Sequence, residues 1–111
     1  MENDTAVTLL SALANPSRLA IFRLLVEAGP AGMNVGGIGT AVGLPSATLS
    51  FHLKELRHSG LVDVRRESRT LIHSANFAAM ARLVDYLTRN CCGGDPAACG
   101  LPTDSATKET A

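Results

Sequence analysis

One stretch constrains the fold more than any other: residues 44–75, in which the hydrophobic period changes once, at a glycine. Before that glycine, leucines recur at helical spacing and form one apolar face: Leu49, Leu53 and Leu56. Gly60 then stands where a left-handed residue ends a helix. We therefore expect a helix of about three to four turns, with Ser46 as the N-cap whose hydroxyl accepts an unpaired backbone N–H.

After Gly60 the chain alternates apolar and polar residues, as a half-buried strand does. We expect strands over residues 61–66 and 70–75, joined through residues 67–69 in a charged antiparallel hairpin. The basic side chains of this hairpin are Arg65, Arg66 and Arg69. They follow directly on the helix, so a basic hairpin lies next to the polar face of that helix.

The rest of the chain predicts four more helices with recognisable boundaries. Asparagine suits the N-cap position, and proline suits the first helical residue because its missing N–H costs nothing there. The expected caps are Asn15, Asn34 and Asn76, and Gly43 is an expected stop. The expected helices are residues 5–14, 16–28, 34–42 and 77–90.

The third helix contains three glycines, and its GGIGTAVG run superficially resembles a phosphate-binding loop. No strand is expected before it and no Gly-Lys-Ser/Thr follows, so we expect a thin helix that packs closely on its neighbours. The order of elements is then α-α-α-α-β-β-α. Two helices joined by residues 43–45 and followed by a basic hairpin make a winged helix-turn-helix, a mainly α fold of about five helices with a small β-hairpin.

The last helix carries more apolar surface than one small domain needs: Phe77, Met80, Ala81, Val84 and Leu87. With 111 residues the chain forms one domain, close to the size at which a second subunit helps stability. We expect a symmetric homodimer through the first and last helices. The domain should cover residues 1–90, and residues 91–111 should form a flexible cysteine-containing tail.

The chain has 10 Lys and Arg against 10 Asp and Glu, a formal net charge of zero. The charges are unevenly placed, because residues 46–75 are basic on balance and both ends of the chain are acidic. Local potential governs nucleic-acid binding more than the sum does, so a DNA partner fits this chain. No apolar run approaches a membrane span and the N-terminus has no signal-peptide pattern, so we expect no membrane partner and a cytoplasmic location.

Three cysteines lie close together near the C-terminus: Cys91, Cys92 and Cys99. An odd number of cysteines in a reducing compartment favours metal binding or reactive thiols over a disulfide framework. Zinc normally takes four N or S ligands, and no histidine has metal-motif spacing to these cysteines. Three thiolates instead suit a soft ion with three pyramidal bonds, as trivalent arsenic and antimony form. Open alternatives are incidental thiols, methylated trivalent arsenic, and oxidation that pairs Cys91 or Cys92 with Cys99.

A family resemblance covers residues 5–90 and is carried by LANPSRLAIFRLL and LSFHLKELRHSGLVDVRRESRTLIHS, with HLKELRHSGLV the most specific part. On these motifs the chain resembles the ArsR/SmtB family of bacterial metal-sensing repressors. Its NCC…C tail is similar to that of arsenic-responsive members with C-terminal thiols. The chain departs from other members, because residues 34–38 lack a Cys-x-Cys pair and the last helix offers Asp85 but no histidine for zinc.

A helix that enters the major groove needs small polar side chains near its N-terminus and donors for base edges. The expected contacts from the helix are Ser46, Ala47, Ser50, Phe51 and Lys54. Phe51 either contacts a thymine methyl or packs on the preceding helix, whereas His52 should be structural and His58 should face solvent. Arg65, Arg66 and Arg69 suit phosphate contacts or minor-groove insertion, the alternative being a solvated charged face.

These observations lead to one hypothesis: a homodimeric repressor that binds double-stranded operator DNA and releases it when As(III) or Sb(III) bridges Cys91, Cys92 and Cys99. We expect no organic cofactor. An enzyme is disfavoured because only Asp95 stands near the cysteines as an acid or base. The alternatives are a repressor that responds to oxidation or to another soft metal, and a thiol metal carrier without specific DNA binding.

Overall fold

The computed structural model describes residues 1–100, except the side chains of residues 96 and 99. Its helices are α1 (Asn3–Leu13), α2 (Pro16–Ala28), α3 (Val35–Val42), α4 (Ser46–Ser59) and α5 (Phe77–Thr88). Its strands are β1 (Met33–Asn34), β2 (Val62–Glu67) and β3 (Thr70–Ala75). Short 3₁₀ turns follow α2 (Gly29–Ala31) and α5 (Cys91–Gly94 and Pro96–Cys99). The mainly helical winged helix-turn-helix that the sequence predicts is confirmed.

Local chemistry sets most helix boundaries. The Oδ1 atoms of Asn15, Asn34 and Asn76 each accept a backbone N–H from the first turn of the helix that follows. Gly43 and Gly60 end α3 and α4 in the left-handed conformation, with φ of 70° and 92°. The bounds of α2 match the prediction, whereas α5 ends at Thr88 because the next residue is already extended.

The N-cap of α4 is Pro45, and the prediction of Ser46 was wrong by one residue. Pro45 is extended, with φ of −62° and ψ of 153°, and its carbonyl oxygen accepts the N–H of Leu49 at 2.9 Å. No side chain caps this helix. Adjacent residues compete for the position, and the fixed φ of proline places the turn before the serine. Ser46 is therefore the first helical residue, and it is exposed.

The three strands form an antiparallel sheet in the order β1-β3-β2. β3 matches the prediction, and β2 lies one residue later than expected. The connection between them is Ser68 and Arg69, where Ser68 supplies the positive φ, 56°, that tight hairpins use. The expectation that no strand precedes α3 was wrong, because β1 pairs there with Ile72 and His73. This pairing joins distant parts of the chain, which periodicity does not report.

Two glycines allow close packing around β3 and α4. Gly32 has a φ of 69°, and a Cβ there would run into the carbonyl oxygen of His73 and lie 2.8 Å from Cγ2 of Ile72. A Cβ on Gly39 would lie 3.2 Å from Cδ2 of Leu49. The GGIGTAVG run is therefore a helix that packs closely on α4, not a phosphate-binding loop.

The core joins all five helices and the start of the wing, which we define as residues 62–75. Its fully buried side chains are Ile21, Leu25, Ile38, Leu49, Leu56, Leu61 and Val62. The apolar face predicted for α4 is thus confirmed. Several apolar residues of α1 and α5 are exposed: Val7, Leu10, Val84 and Leu87.

No single helix in residues 1–100 is long and apolar enough to cross a membrane. Only α1 together with residues 16–31 reaches that length and hydropathy, and the two parts are bent by 100° to each other. Both parts contribute buried side chains to the core, including Leu9 and Ile21.

Candidate nucleic-acid interface and cysteine site

The outer face of α4 carries all five helix residues that the sequence predicts for DNA contact. Ser46, Ala47, Ser50, Phe51 and Lys54 are exposed. The buried side chains of the helix lie on its other face: Leu49, His52, Leu53 and Leu56. The helix therefore packs by one side and offers small polar groups, an aromatic ring and a cation on the other, a composition suited to base edges.

Phe51 is 56% exposed, although a phenyl ring is among the most favourable side chains to bury. Its ring contact is with the neighbouring His52, whose centroid lies 5.4 Å away. Of the two alternatives for Phe51, packing on α3 is thus disfavoured. The ring stands in the surface with Ser50 and Lys54, where it can meet an apolar group such as a thymine methyl.

His52 is structural, as the sequence suggests, because it is 8% exposed and its Nδ1 lies 3.2 Å from Nη1 of Arg18. The Nε of Arg18 also donates to the carbonyl oxygen of Ala12 at 2.7 Å. One guanidinium thus joins the end of α1 to the middle of α4. Sequence reasoning missed this role, although an arginine on an otherwise apolar core helix signals a buried polar partner.

The three wing arginines have different surroundings. Arg66 and Arg69 are exposed, and within residues 1–100 neither takes part in a side-chain hydrogen bond or ion pair. Arg65 instead donates to three oxygens of its own chain: Oε2 of Glu67 at 2.8 Å, and the carbonyls of Pro30 at 3.2 Å and Ala31 at 2.8 Å. Arg65 therefore holds the wing against the turn after α2. Arg66 and Arg69 remain as its outward cations.

Cys91 and Cys92 follow α5 in a 3₁₀ turn, with their Sγ atoms 3.8 Å apart. Asn90 and Cys92 take positive φ values of 58° and 54°, so the chain turns sharply here. Cys92 is disulfide-bonded, which differs from the expectation of reduced thiols. The side chain of Cys99 and residues 101–111 lie outside the described part of the chain. Convergence of all three sulfurs, and flexibility of the tail, stay predictions.

Residues 34–38 and Asp85, where other members of the resembled family have metal ligands, have structural contacts in this chain. The side chain of Asn34 caps α3 through the N–H of Gly37 at 2.7 Å. Asp85 on α5 pairs with Arg89 at 2.9 Å. Among the side chains that the structure describes, no three His, Cys, Asp or Glu groups converge to hold a metal ion. Cys91 and Cys92 are therefore the candidate sulfur ligands of the described region once the protein is reduced.

Comparison with known proteins shows which family this fold resembles. A family model for a helix-turn-helix domain matches residues 13–65, from the end of α1 into β2. The nodulation protein NolR of Rhizobium meliloti is 38% identical over 85 residues, which cover 77% of this chain and 67% of NolR. The transcriptional activator HlyU of Vibrio cholerae is 33% identical over 94 residues, which cover 83% of this chain and 84% of HlyU.

A solved structure shows the same likeness in three dimensions. It is the homodimeric winged helix-turn-helix DNA-binding domain of Mb0332 from Mycobacterium bovis, described as a possible ArsR-family transcriptional regulator. It matches with a TM-score of 0.60 at 30% identity, over 77% of this chain and 83% of that one. The chain described here belongs to the ArsR family of winged helix-turn-helix transcriptional regulators, which are DNA-binding proteins and not enzymes.

Proposed function

We propose that this chain is a homodimeric repressor that binds double-stranded operator DNA and releases it when As(III) or Sb(III) binds Cys91, Cys92 and Cys99. The observation that carries the proposal is the 3.8 Å separation between the Sγ atoms of Cys91 and Cys92. Two sulfurs bonded to one ion at about 2.3 Å, with bond angles of about 90–110°, lie roughly 3.3–3.8 Å apart. In the reduced protein the pair needs little movement to share a soft ion.

The third thiol decides which ion suits the site. Arsenous acid exchanges its hydroxyl groups for thiolates, one water leaving for each sulfur that binds. With Cys99 the arsenic reaches three sulfur bonds and needs no histidine, and no histidine in the sequence has metal-motif spacing to the cysteines. The GGDPAA segment between Cys92 and Cys99 contains glycines and a proline, which suit a chain that turns back on itself.

The exposed apolar residues of α1 and α5 support the homodimer, which is also the state described for Mb0332. A two-fold axis through these helices would pair two copies of α4 and two wings. Each α4 would enter a major groove, and Arg66 and Arg69 would contact the backbone beside it. We expect an inverted-repeat operator with half-sites about one helical turn apart.

A chain of contacts connects the cysteines with α4. Near the end of α5, the Tyr86 hydroxyl donates to Oδ1 of Asn3 at 3.1 Å, and the guanidinium of Arg89 lies 5.8 Å from the Tyr86 ring centre. Arg18 then joins the other end of α1 to His52 of α4. Metalloid binding that moves residues 89–92 would shift α1 against α4. A coupling of about 1–3 kcal/mol would lower DNA affinity by roughly 5- to 150-fold.

The disulfide at Cys92 favours a second candidate, a repressor that responds to oxidation. Two thiols would give two electrons and two protons to a peroxide, which is reduced to two waters while an S–S bond forms. The same contacts through α5 and α1 would carry the change to α4. This candidate shares the DNA surface of the first and differs from it in the chemistry of release.

The test is a gel-shift titration on an operator recovered by pull-down from the source genome. Protein reduced with a phosphine, which is then removed, should release the DNA when arsenite is added, and peroxide without arsenite should leave it bound. Cys91→Ser, Cys92→Ser and Cys99→Ser should bind DNA like the native chain and fail to release it. Release by peroxide alone would favour the second candidate. Loss of specific DNA binding altogether would favour a thiol metal carrier.

A further inference from the structure

We propose that the cavity between α4 and the wing binds a small organic anion, a carboxylate with an apolar body, and that its occupancy weakens DNA binding. The cavity has a volume of about 320 Å³ and is bounded by α4, by β3 and by the first residue of α3. It is separate from the cysteines at the end of α5. The proposed ligand is therefore a second input that does not act through the thiols.

The cavity is positively charged on one side. Lys54, Arg57 and His58 line it from α4, and no acidic residue contributes to its wall. Within the described residues none of these three side chains is paired with a carboxylate. In a chain of zero net charge, such a grouping leaves a local positive potential that an anion would neutralise.

A buried histidine lines the cavity from β3. His73 lies on the central strand β3 and is 6% exposed, and its Nδ1 has no hydrogen-bond partner within residues 1–100. A buried polar atom without a partner costs free energy, and such atoms call for an explanation. Burial, and then the charge of Arg57, lower the pKa of His73, so the ring is neutral near pH 7. An anion in the cavity would offset the charge of Arg57, which contributes to the lowered pKa of His73.

The cavity also has apolar lining residues, and these decide the class of anion. They are Val35, Leu53 and Leu71, from α3, α4 and β3. A free phosphate or a DNA phosphodiester would use the cations and leave these three side chains without a partner. A carboxylate on a single ring or short aliphatic chain would use both. The volume lies at the lower end of small-molecule sites, which agrees with a ligand of that size.

The position of the cavity links the ligand to DNA binding. Ser50 and Lys54 line the cavity and also belong to the exposed face of α4 that we assign to DNA. A bound carboxylate would neutralise Lys54 and Arg57 and bring a negative charge toward the phosphates. Operator affinity should therefore fall, in the native chain and equally in a chain with all three cysteines changed to serine.

Benzoate and benzamide form a matched pair of probes, because they share a ring and differ in charge. We would titrate each into the reduced native protein at constant ionic strength and follow the imidazole resonances of His73 by NMR. Benzoate should give a saturable shift and benzamide none. Arg57→Gln should weaken benzoate binding by about tenfold, while Arg23→Gln, an exposed change on α2, should leave it unaltered.

Three results would overturn the proposal. Equal binding of benzamide would show that no anion subsite exists. Inorganic phosphate that shifts His73 as strongly as benzoate would assign the cavity to phosphate groups, such as those of DNA. The absence of a saturable His73 shift with benzoate would show that the cavity does not bind organic carboxylates. Because binding is measured without DNA and without arsenite, none of these results depends on the outcome of the metalloid titration.

Discussion

At the scale of single residues, His73 makes the free energy of unfolding depend on pH. Its pKa is lowered from the ordinary value of 6.5, first by burial and then by the charge of Arg57. The folded chain therefore favours the neutral ring, and the unfolded chain takes up a proton more readily as the pH falls through about 6.5. The free energy of unfolding should be highest above that pH and should decrease below it.

The predicted loss of stability at lower pH can be tested with a pair of histidine variants. His73→Gln should lose part of the acid sensitivity, so its free energy of unfolding should change less between about pH 7.5 and 5.5 than that of the native chain. Urea titrations at both values measure this slope. His58→Gln, at an exposed position on α4, should keep the native slope. An unchanged slope in His73→Gln would contradict the assignment.

Alanine substitutions at Gly29 and Gly32 distinguish the cost of backbone strain from the cost of a steric clash. Their dihedral angles are nearly equal, with φ/ψ of 76°/−167° and 69°/−166°. A Cβ on Gly29 would meet nothing within 4 Å, whereas one on Gly32 would run into β3 at His73 and Ile72. Both alanine variants should lose stability, and Gly32→Ala should lose at least about 1 kcal/mol more than Gly29→Ala by urea unfolding. Equal losses would mean that β3 moves aside freely.

At the scale of elements, the wing arginines make distinguishable predictions for DNA binding. Arg66→Ala should weaken binding to all sequences and reduce the slope of log affinity against log salt by about 1, as loss of one phosphate contact does. Arg65→Ala should weaken binding with little change in slope, because its guanidinium is bonded to the turn after α2. Fluorescence anisotropy at several salt concentrations measures both. A reduced slope for Arg65→Ala alone would assign the phosphate contact to Arg65.

The contact between α5 and α1 can be weakened by removing one atom, the hydroxyl oxygen of Tyr86. Tyr86→Phe removes the hydroxyl that donates to Asn3, so it should lower the ratio of operator affinities without and with arsenite while native DNA affinity is kept. Thr88→Val is the control, because within residues 1–100 the Thr88 hydroxyl donates only to carbonyls of its own helix. If Tyr86→Phe and Thr88→Val keep the same ratio as the native chain, the signal does not pass through this hydrogen bond.

The elements with local signals could be predicted from the sequence, and those that depend on distant contacts could not. The caps Asn15 and Asn76 act on neighbouring N–H groups, and Gly60 acts through its own φ. The strand β1 exists only because β3 lies beside it. The role of Arg65 likewise depends on carbonyls more than thirty residues away, which no local pattern reports.

At the scale of the whole molecule, the residues that we propose for DNA contact and those that we propose for inducer binding are on different elements. α4 and the wing offer the DNA surface, whereas Cys91 and Cys92 follow α5. Contacts of α1 with both α4 and α5 connect the two regions within a protomer. In a dimer through α1 and α5, a movement at the cysteines would change the spacing of the two α4 helices, to which an operator of fixed half-site spacing is sensitive.

The most direct test of this account is a stoichiometric titration. Reduced native dimer bound to fluorescent operator DNA is titrated with arsenite, and release is followed by anisotropy. We predict that release is complete at one arsenic per protomer and that Cys91→Ser, Cys92→Ser and Cys99→Ser each remain bound. Release that persists when all three cysteines are serine, or DNA that stays bound with arsenite in excess, would contradict control of DNA binding by a metalloid on these cysteines.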